Sequence, residues 1–120
     1  MISINYRDAR PIYEQVKDGF RDLILSDALP VGYKMPSVRE LAASLAINPN
    51  TIQRAYRELE SEGYIASVPG KGSFVSPSDD AVKRRKGELK AEMRKLADEL
   101  RALGVSEDEL IKTIQGGGKK

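Results

Sequence analysis

The run N-P-N-T-I-Q-R-A-Y-R at residues 48–57 carries amide and guanidinium side chains at helical spacing. In a helix that turns about 100° per residue, Asn50, Arg54 and Arg57 project from one side. Amide side chains can pair with adenine through two hydrogen bonds, and guanidinium groups pair with guanine or with phosphate. The opposite side of the same helix is apolar and consists of Ile52, Ala55, Tyr56 and Leu59. This combination predicts a helix that packs on a core and presents a face suited to the major groove of DNA.

A helix start precedes this run at Ser37 and Glu40, which have the spacing of a capping box. In that arrangement each side chain accepts a hydrogen bond from the backbone N–H of the other residue. The pattern predicts that a helix begins at about Val38 and ends near Ala46. Its apolar positions recur at steps of three or four and share one face. They are Val38, Leu41, Ala42 and Leu45.

The second helix has its own start and stop signals. Asn48 is a favourable N-cap residue, and Pro49 suits the first helical position because its missing N–H would be unpaired there. Gly63 ends the helix, since glycine readily adopts the positive φ that is common at helix ends. The glutamates near that end should stay out of the groove: Glu58, Glu60 and Glu62. Residues 36–65 therefore predict a helix-turn-helix.

Two short β-prone runs follow, at residues 65–69 and 73–75. They are separated by Gly70, Lys71 and Gly72, and a short glycine-containing connection is typical of a β-hairpin. A hairpin with a basic tip after a helix-turn-helix is the wing of a winged helix. We expect Lys71 to contact a DNA phosphate.

The residues before the helix-turn-helix predict one further helix. From about Pro11 onward, apolar residues recur at helical spacing, and Pro11 suits the first turn. This helix would complete a three-helix core. Residues 2–6 alternate as an edge strand does, but a terminal segment this short could equally be frayed. Residues 28–34 are expected to form a connecting loop.

A charged segment rich in Lys, Glu and Leu begins after Pro77, where Pro and Ser mark a predicted domain boundary. It predicts a long helix that ends at Gly104. A second capping box at Ser106 and Glu109 predicts a short final helix. Residues 116–120 are expected to form a flexible tail. Apolar residues of the long helix recur at steps close to a heptad: Val82, Leu89, Met93, Leu96, Leu100 and Leu103.

Two helices alone cannot bury that apolar stripe. We expect it to pack on the first domain or, in preference, on the same segment of a second chain. The basic run at residues 83–86 interrupts the stripe at Arg85 and stands at a helix start, against the helix dipole. Such a run is usually a solvated face, so contact between it and DNA is the less favoured interpretation.

Composition restricts the function further. The 120 residues are 40% apolar, which suffices for one globular domain and an appended element. His and Cys are both absent, so nucleophile–His triads, His metal sites and thiolate sites cannot be built. The carboxylates form no paired motif, so the sequence predicts no enzyme, no metal and no cofactor. No apolar run is long enough to span a membrane and no leader is visible, which predicts a cytoplasmic protein.

Net charge alone does not identify the partner. Residues 1–77 carry nine basic and nine acidic residues, so the predicted DNA-binding half is neutral overall. Affinity for DNA depends on neutralising phosphates locally. The predicted helices and wing would bring four cations to one face: Arg39, Arg54, Arg57 and Lys71.

Together these motifs resemble the GntR family of bacterial transcription regulators, in particular its short YtrA-like branch. The matching stretches are YEQVKDGF, MPSVRELAASLAINPNTIQRAYRELESEGYI and GKGSFV, which cover roughly residues 1–77 in order. The resemblance implies a mainly α fold with a small β-hairpin. It comprises a winged helix-turn-helix domain at residues 1–77 and a two-helix C-terminal dimerisation segment at residues 78–115. In the YtrA-like branch this appendage forms the dimer, which here implies contacts by Leu89, Met93, Leu96, Leu100 and Leu103.

The resemblance also implies a function. It implies a sequence-specific transcription regulator, most often a repressor, that binds a palindromic operator in double-stranded DNA as a homodimer. Other branches often have Arg at the positions of Pro49 and Gln53, so the operator sequence is not implied. The residue pattern adds Arg57 to the DNA contacts that the resemblance assigns: Arg39, Asn48, Asn50, Thr51, Gln53, Arg54, Gly70, Lys71 and Gly72.

Two other functions fit a winged helix. One is a protein-interaction module, which the amides and guanidinium groups of residues 50–57 oppose. The other is an architectural protein, which would bind all duplexes alike and could be separated from a regulator by competition with random DNA. A small-molecule effector is left open, because about forty residues of helix offer at most a small pocket at a junction or dimer interface.

Overall fold

The computed structural model describes residues 2–116. The chain divides into two compact units, Met1–Val82 and Lys83–Lys120. In chain order, the helices and strands are α1 (Ile12–Leu25), α2 (Val38–Leu45), α3 (Pro49–Ser61), β1 (Ile65–Val68), β2 (Gly72–Val75), α4 (Asp79–Ala102) and α5 (Glu107–Gln115). The predicted mainly α fold with one small hairpin is confirmed. Over residues 2–116, no helix is both long and apolar enough to cross a membrane.

The core of the first unit joins α1 and α3 to the hairpin. Phe20 of α1 meets the Tyr56 ring of α3 edge-on, with ring centroids 6.0 Å apart. Burial of a large apolar side chain stabilises a fold by about 1.5–3 kcal/mol, so these contacts fix how α3 lies against α1. The largest fully buried side chains are Phe20, Ile52, Leu59, Val16 and Val75.

The turn between α2 and α3 is defined by caps. The predicted capping box is present, because the Glu40 N–H donates to Ser37 Oγ at 3.1 Å and the Ser37 N–H donates to Glu40 Oε1 at 3.0 Å. α2 ends at Ala46, whose φ of 56° is left-handed. Asn48 then caps α3 by accepting a hydrogen bond from the Asn50 N–H at 2.8 Å. Both predicted helix starts are confirmed.

The predicted wing is an antiparallel hairpin of β1 and β2. Gly72 is the first residue of β2 rather than part of the turn. The loop before α2 extends this sheet, which the sequence did not predict. The Met35 N–H donates to the Ser73 carbonyl at 2.8 Å, and the Val75 N–H donates to the Tyr33 carbonyl at 2.9 Å. The wing is thereby tied to the start of the helix-turn-helix.

The N-terminal segment forms no strand between residues 2 and 6, so the edge strand, one of the two alternatives left open by the sequence, does not form. The segment is held instead by Gln15, a buried polar residue of α1. Gln15 Oε1 accepts a hydrogen bond from the Asn5 N–H at 2.9 Å, and Gln15 Nε2 donates to the Asn5 carbonyl at 3.0 Å. One side chain thus pairs the backbone groups that a neighbouring strand would have paired.

The second unit contains most of α4 together with α5. Ser106 Oγ accepts a hydrogen bond from the Glu109 N–H at 3.2 Å. Within the described residues the Glu109 side chain returns no bond, so only half of the predicted second capping box forms. Glu107 forms an ion pair with Arg101 across the turn between the helices. The predicted tail lies largely outside the described residues, which end at Gly116.

The apolar stripe on α4 is exposed to solvent. Each residue of the predicted dimer contact keeps a large exposed fraction: Leu89 46%, Met93 54%, Leu96 59%, Leu100 38% and Leu103 81%. On α5, Ile111 and Ile114 are also exposed, whereas Leu110 is buried. Side chains of both helices line an open groove of about 540 Å³ within this unit.

Candidate DNA-binding surface

Helix α3 has an apolar side that packs on the core and a polar side that is exposed to solvent. Its buried residues are Ile52, Ala55, Tyr56 and Leu59. The exposed residues of α3 include Asn50, Gln53, Arg54 and Arg57. The predicted division of the helix into two sides is confirmed.

Arg54 is held by two neighbours. Its guanidinium carbon lies 3.8 Å from the centre of the Tyr13 ring, and its Nη2 donates to Tyr13 Oη at 3.1 Å. Its Nε approaches Glu58 Oε2 at 3.4 Å. Tyr13 lies in α1, 41 positions before Arg54. Apart from its place in the stretch YEQVKDGF, nothing in the sequence indicates that it belongs to the site.

Arg57 lies less than one turn further along α3 than Arg54 but, among the described residues, lacks contacts of this kind. It is exposed, and within residues 2–116 it forms neither a hydrogen bond nor an ion pair. Its guanidinium group is therefore free to adapt to a partner.

The glutamates in and just after α3 have partners on the protein. Lys17 Nζ lies 3.6 Å from Glu58 Oε1 and 3.0 Å from Glu62 Oε2. Burial by itself lowers the pKa of Lys17. The hydrogen bond to Glu62 and the charge of Glu62 outweigh burial, and the pKa of Lys17 is therefore raised. Glu60 Oε1 accepts a hydrogen bond from Ser67 Oγ of β1 at 3.0 Å, which links the end of α3 to the wing.

The tip of the wing presents Lys71 to solvent. Gly70 and Gly72 flank it with φ angles of 76° and 120°, which favour glycine. A Cβ at Gly72 would also come within 3.1 Å of Lys34 Cε. The two glycines thus allow a turn that brings the Lys71 side chain to the end of the hairpin.

The start of α2 is fixed against α3. Tyr56 Oη donates to the Pro36 carbonyl at 2.7 Å, and burial raises the pKa of the Tyr56 hydroxyl. Arg39, in the first turn of α2, is exposed. An open cleft of about 630 Å³ separates this helix start from the wing, and its lining includes Lys34, Ser37, Glu40, Lys71 and Ser73.

Comparison with known proteins identifies the domain. Residues 12–75 match the family described as bacterial regulatory proteins, gntR family. The chain belongs to the GntR family. It is 38% identical over 128 residues to the HTH-type transcriptional repressor YtrA of Bacillus subtilis, an alignment that covers 100% of this chain and 98% of that protein. This GntR-family chain is a DNA-binding transcription regulator rather than an enzyme.

Solved structures of similar proteins agree with this assignment. A transcriptional regulator from Oenococcus oeni superposes with a TM-score of 0.80 at 31% identity, covering 96% of this chain and 97% of that chain. AraR(DBD) in complex with operator ORE1 superposes with a TM-score of 0.54 at 29% identity, covering 63% of this chain and 93% of that chain.

In this GntR-family domain the residues predicted to contact DNA are accessible, with one exception. Thr51 is half-buried, and its N–H donates to the Asn48 carbonyl at 3.0 Å in the first turn of α3. The exposed members are Arg39, Asn48, Asn50, Gln53, Arg54, Arg57, Gly70, Lys71 and Gly72. Exposure permits these contacts, and the individual roles stay predictions.

Proposed function

We propose that this GntR-family chain is a repressor that binds a palindromic operator as a homodimer. The observation that carries the proposal is the outward side of α3, where Asn50, Arg54 and Arg57 are exposed together. These side chains can pair with adenine, guanine and phosphate. Arg39 at the start of α2 and Lys71 at the wing tip would add contacts to the DNA backbone. A regulator of chromosomal DNA would act in the cytoplasm.

The exposed apolar stripe on α4 supports a homodimer. Covering apolar surface is worth about 25 cal/mol per Å², so five exposed apolar side chains favour association with a complementary surface. The same residues on a second copy supply such a surface under two-fold symmetry. A two-fold dimer presents its two recognition helices to inverted half-sites about one helical turn apart, or a multiple of it.

Repression is the simplest output of such a dimer. A protein that occupies promoter DNA blocks polymerase without any catalytic chemistry. The Bacillus subtilis relative is itself named a repressor, which supports the same direction here.

Selection of duplexes from a random pool tests the binding mode. The full chain should enrich two inverted half-sites and should bind the enriched duplex at least about a thousandfold more tightly than a shuffled one at physiological salt. Equal binding to all duplexes would identify an architectural protein. Failure to bind any duplex would favour a protein-interaction module.

A reporter gene tests the direction of control. The enriched operator should be placed between a promoter and the reporter, with a shuffled operator as the matched control. Expression of the chain should lower reporter output only with the intact operator. Increased output from that reporter would contradict repression.

A further inference from the structure

We infer that Tyr13 is a positioning residue that sets the direction of Arg54 for reading DNA. This inference rests on the proposed function, because it assigns a task to one arginine of the proposed recognition surface. It concerns a residue of α1, outside the helix-turn-helix itself.

The position of the Tyr13 side chain is set by the core. Its side chain is half-buried and packs against the hydrophobic core of the first unit. Val16 and Phe20 of the same helix are completely buried, so α1 cannot shift without disrupting the core. The Tyr13 ring therefore has a defined position relative to α3.

Arg54 is mobile by nature and restrained by this ring. Its side chain is 56% exposed, and an exposed arginine ordinarily samples many rotamers. The Tyr13 ring lies 3.8 Å from the guanidinium carbon, which is a cation–π distance, and the Tyr13 hydroxyl accepts a hydrogen bond at 3.1 Å. Two contacts from one rigid side chain restrict both the position and the orientation of the guanidinium group.

Glu58 contributes less to this restraint than Tyr13. Its contact with Arg54 is long, at 3.4 Å, and both side chains are partly exposed, at 56% and 33%. Ion pairs of this kind are weak. Glu58 also lies 3.6 Å from Lys17, which competes for the same carboxylate.

The restraint leaves Arg54 able to read a base. A guanidinium group has five N–H donors, of which Tyr13 and Glu58 engage two, so three have no partner among the described residues. Recognition of guanine needs a fixed direction, whereas a phosphate can be met by a mobile cation. Arg57 has no such restraint and is suited to adaptable backbone contact.

The test is a double-mutant cycle on the full chain, using the duplex enriched by the wild-type protein and its shuffled version. Tyr13→Leu should weaken binding to the enriched duplex about three- to tenfold, and should change binding to the shuffled duplex less than about twofold. In an Arg54→Ala background, Tyr13→Leu should have no further effect. Tyr13→Phe keeps the ring and should retain most of the affinity. Tyr6→Leu is the matched control, because Tyr6 is 71% exposed.

A second readout does not depend on DNA. The NMR signals of the Arg54 side chain should carry a ring-current shift that Tyr13→Leu removes and Tyr13→Phe preserves. Unchanged signals would overturn the inference even if no operator were found, whereas the absence of a preferred duplex would overturn the proposed function. The inference also fails if Tyr13→Leu weakens binding equally in the Arg54→Ala background, or if Arg54→Ala leaves operator affinity unchanged.

Discussion

At the residue scale, Arg54 and Arg57 carry the same charge on the same helix, and their surroundings separate them. Arg54 rests against Tyr13, while Arg57 has no partner within residues 2–116. A restrained side chain loses less conformational entropy on binding in its restrained direction. A free side chain loses more entropy but tolerates more geometries. Neighbouring cations on the proposed recognition helix can therefore contribute differently to selectivity and to affinity.

Asn50 tests the recognition side of α3. Its backbone N–H is used by the Asn48 cap, and its exposed side-chain amide can pair with adenine. Asn50→Ala should weaken binding to the enriched operator by about 1–3 kcal/mol without unfolding the domain. Titration by fluorescence anisotropy measures this loss. Ser61→Ala, an exposed change at the other end of α3, is the control. A folded Asn50→Ala variant with wild-type operator affinity would refute the assignment.

Lys71 tests the wing. A phosphate contact releases counterions, so Lys71→Ala should weaken binding to all duplexes similarly and reduce the slope of log affinity against log salt by about one unit. The control is Lys95→Ala, which removes the same charge from an exposed site of the second unit. Loss of affinity confined to one base pair of the operator would instead identify Lys71 as a groove reader.

The capping box at Ser37 and Glu40 predicts a pH dependence of stability. The Ser37 backbone N–H donates to the Glu40 carboxylate, which lowers the pKa of Glu40. A group with a lowered folded pKa stabilises fully above its unfolded pKa, about 4.3, and this contribution is lost as the pH falls through the folded pKa. Urea unfolding should therefore show a smaller loss of stability between about pH 5 and about pH 3 in Glu40→Gln than in the wild type. An identical loss would mean that ionisation of Glu40 does not stabilise the fold.

At the element scale, local signals predicted the helix-turn-helix well. The Ser37–Glu40 box, the Asn48 cap and Gly63 set the limits of α2 and α3 because each acts through backbone groups a few residues away. The box expected at Ser106 formed only in part. Spacing permits the return bond from Glu109 but does not enforce it, since an exposed carboxylate loses little by bonding to water instead.

Contacts between distant parts of the chain could not be predicted in this way. The loop before α2 pairs with β2 through backbone groups, which carry no sequence signature. Gln15 holds the N-terminal segment, although a lone glutamine in a helical stripe indicates no partner. Tyr13 reaches Arg54 only because the core fixes α1 against α3. The residue types of the proposed recognition surface were thus predictable from the sequence, but the contacts that orient them were not.

Gly87 and Gly63 give opposite predictions for the same substitution. Gly87 lies inside α4, and a Cβ there would meet nothing within 4 Å. Gly87→Ala should stabilise the helix by about 1 kcal/mol. At Gly63, φ is 89° and a Cβ would lie 2.7 Å from Ser78 Oγ, which caps the start of α4. Gly63→Ala should therefore destabilise the protein. Thermal unfolding followed by circular dichroism compares the two, and a destabilised Gly87→Ala would mean that α4 requires flexibility at this position.

At the scale of the whole molecule, one winged helix has few means of binding DNA tightly. Residues 1–77 carry nine basic and nine acidic residues, so the net charge of the domain adds little to its affinity for the duplex. Linking two copies makes the second contact effectively intramolecular, which can raise the overall affinity a hundredfold or more. The proposed affinity for an operator therefore depends on the surface that joins the copies.

The exposed stripe on α4 allows a test of whether operator affinity depends on dimerisation. Leu96 and Leu100 are 59% and 38% exposed, and Asp at both positions would place carboxylates in the proposed interface. The double variant should sediment as a folded monomer, lose tight operator binding and still bind duplex weakly at low salt.

The control places Asp at Ala91 and Ala102, which the helical repeat puts on the opposite side of α4. This variant should leave the dimer intact. Truncation after Val82, where the first compact unit ends, should reproduce the monomer. If the truncated chain remained dimeric, the interface would lie in the winged-helix unit, and the stripe would need a different partner.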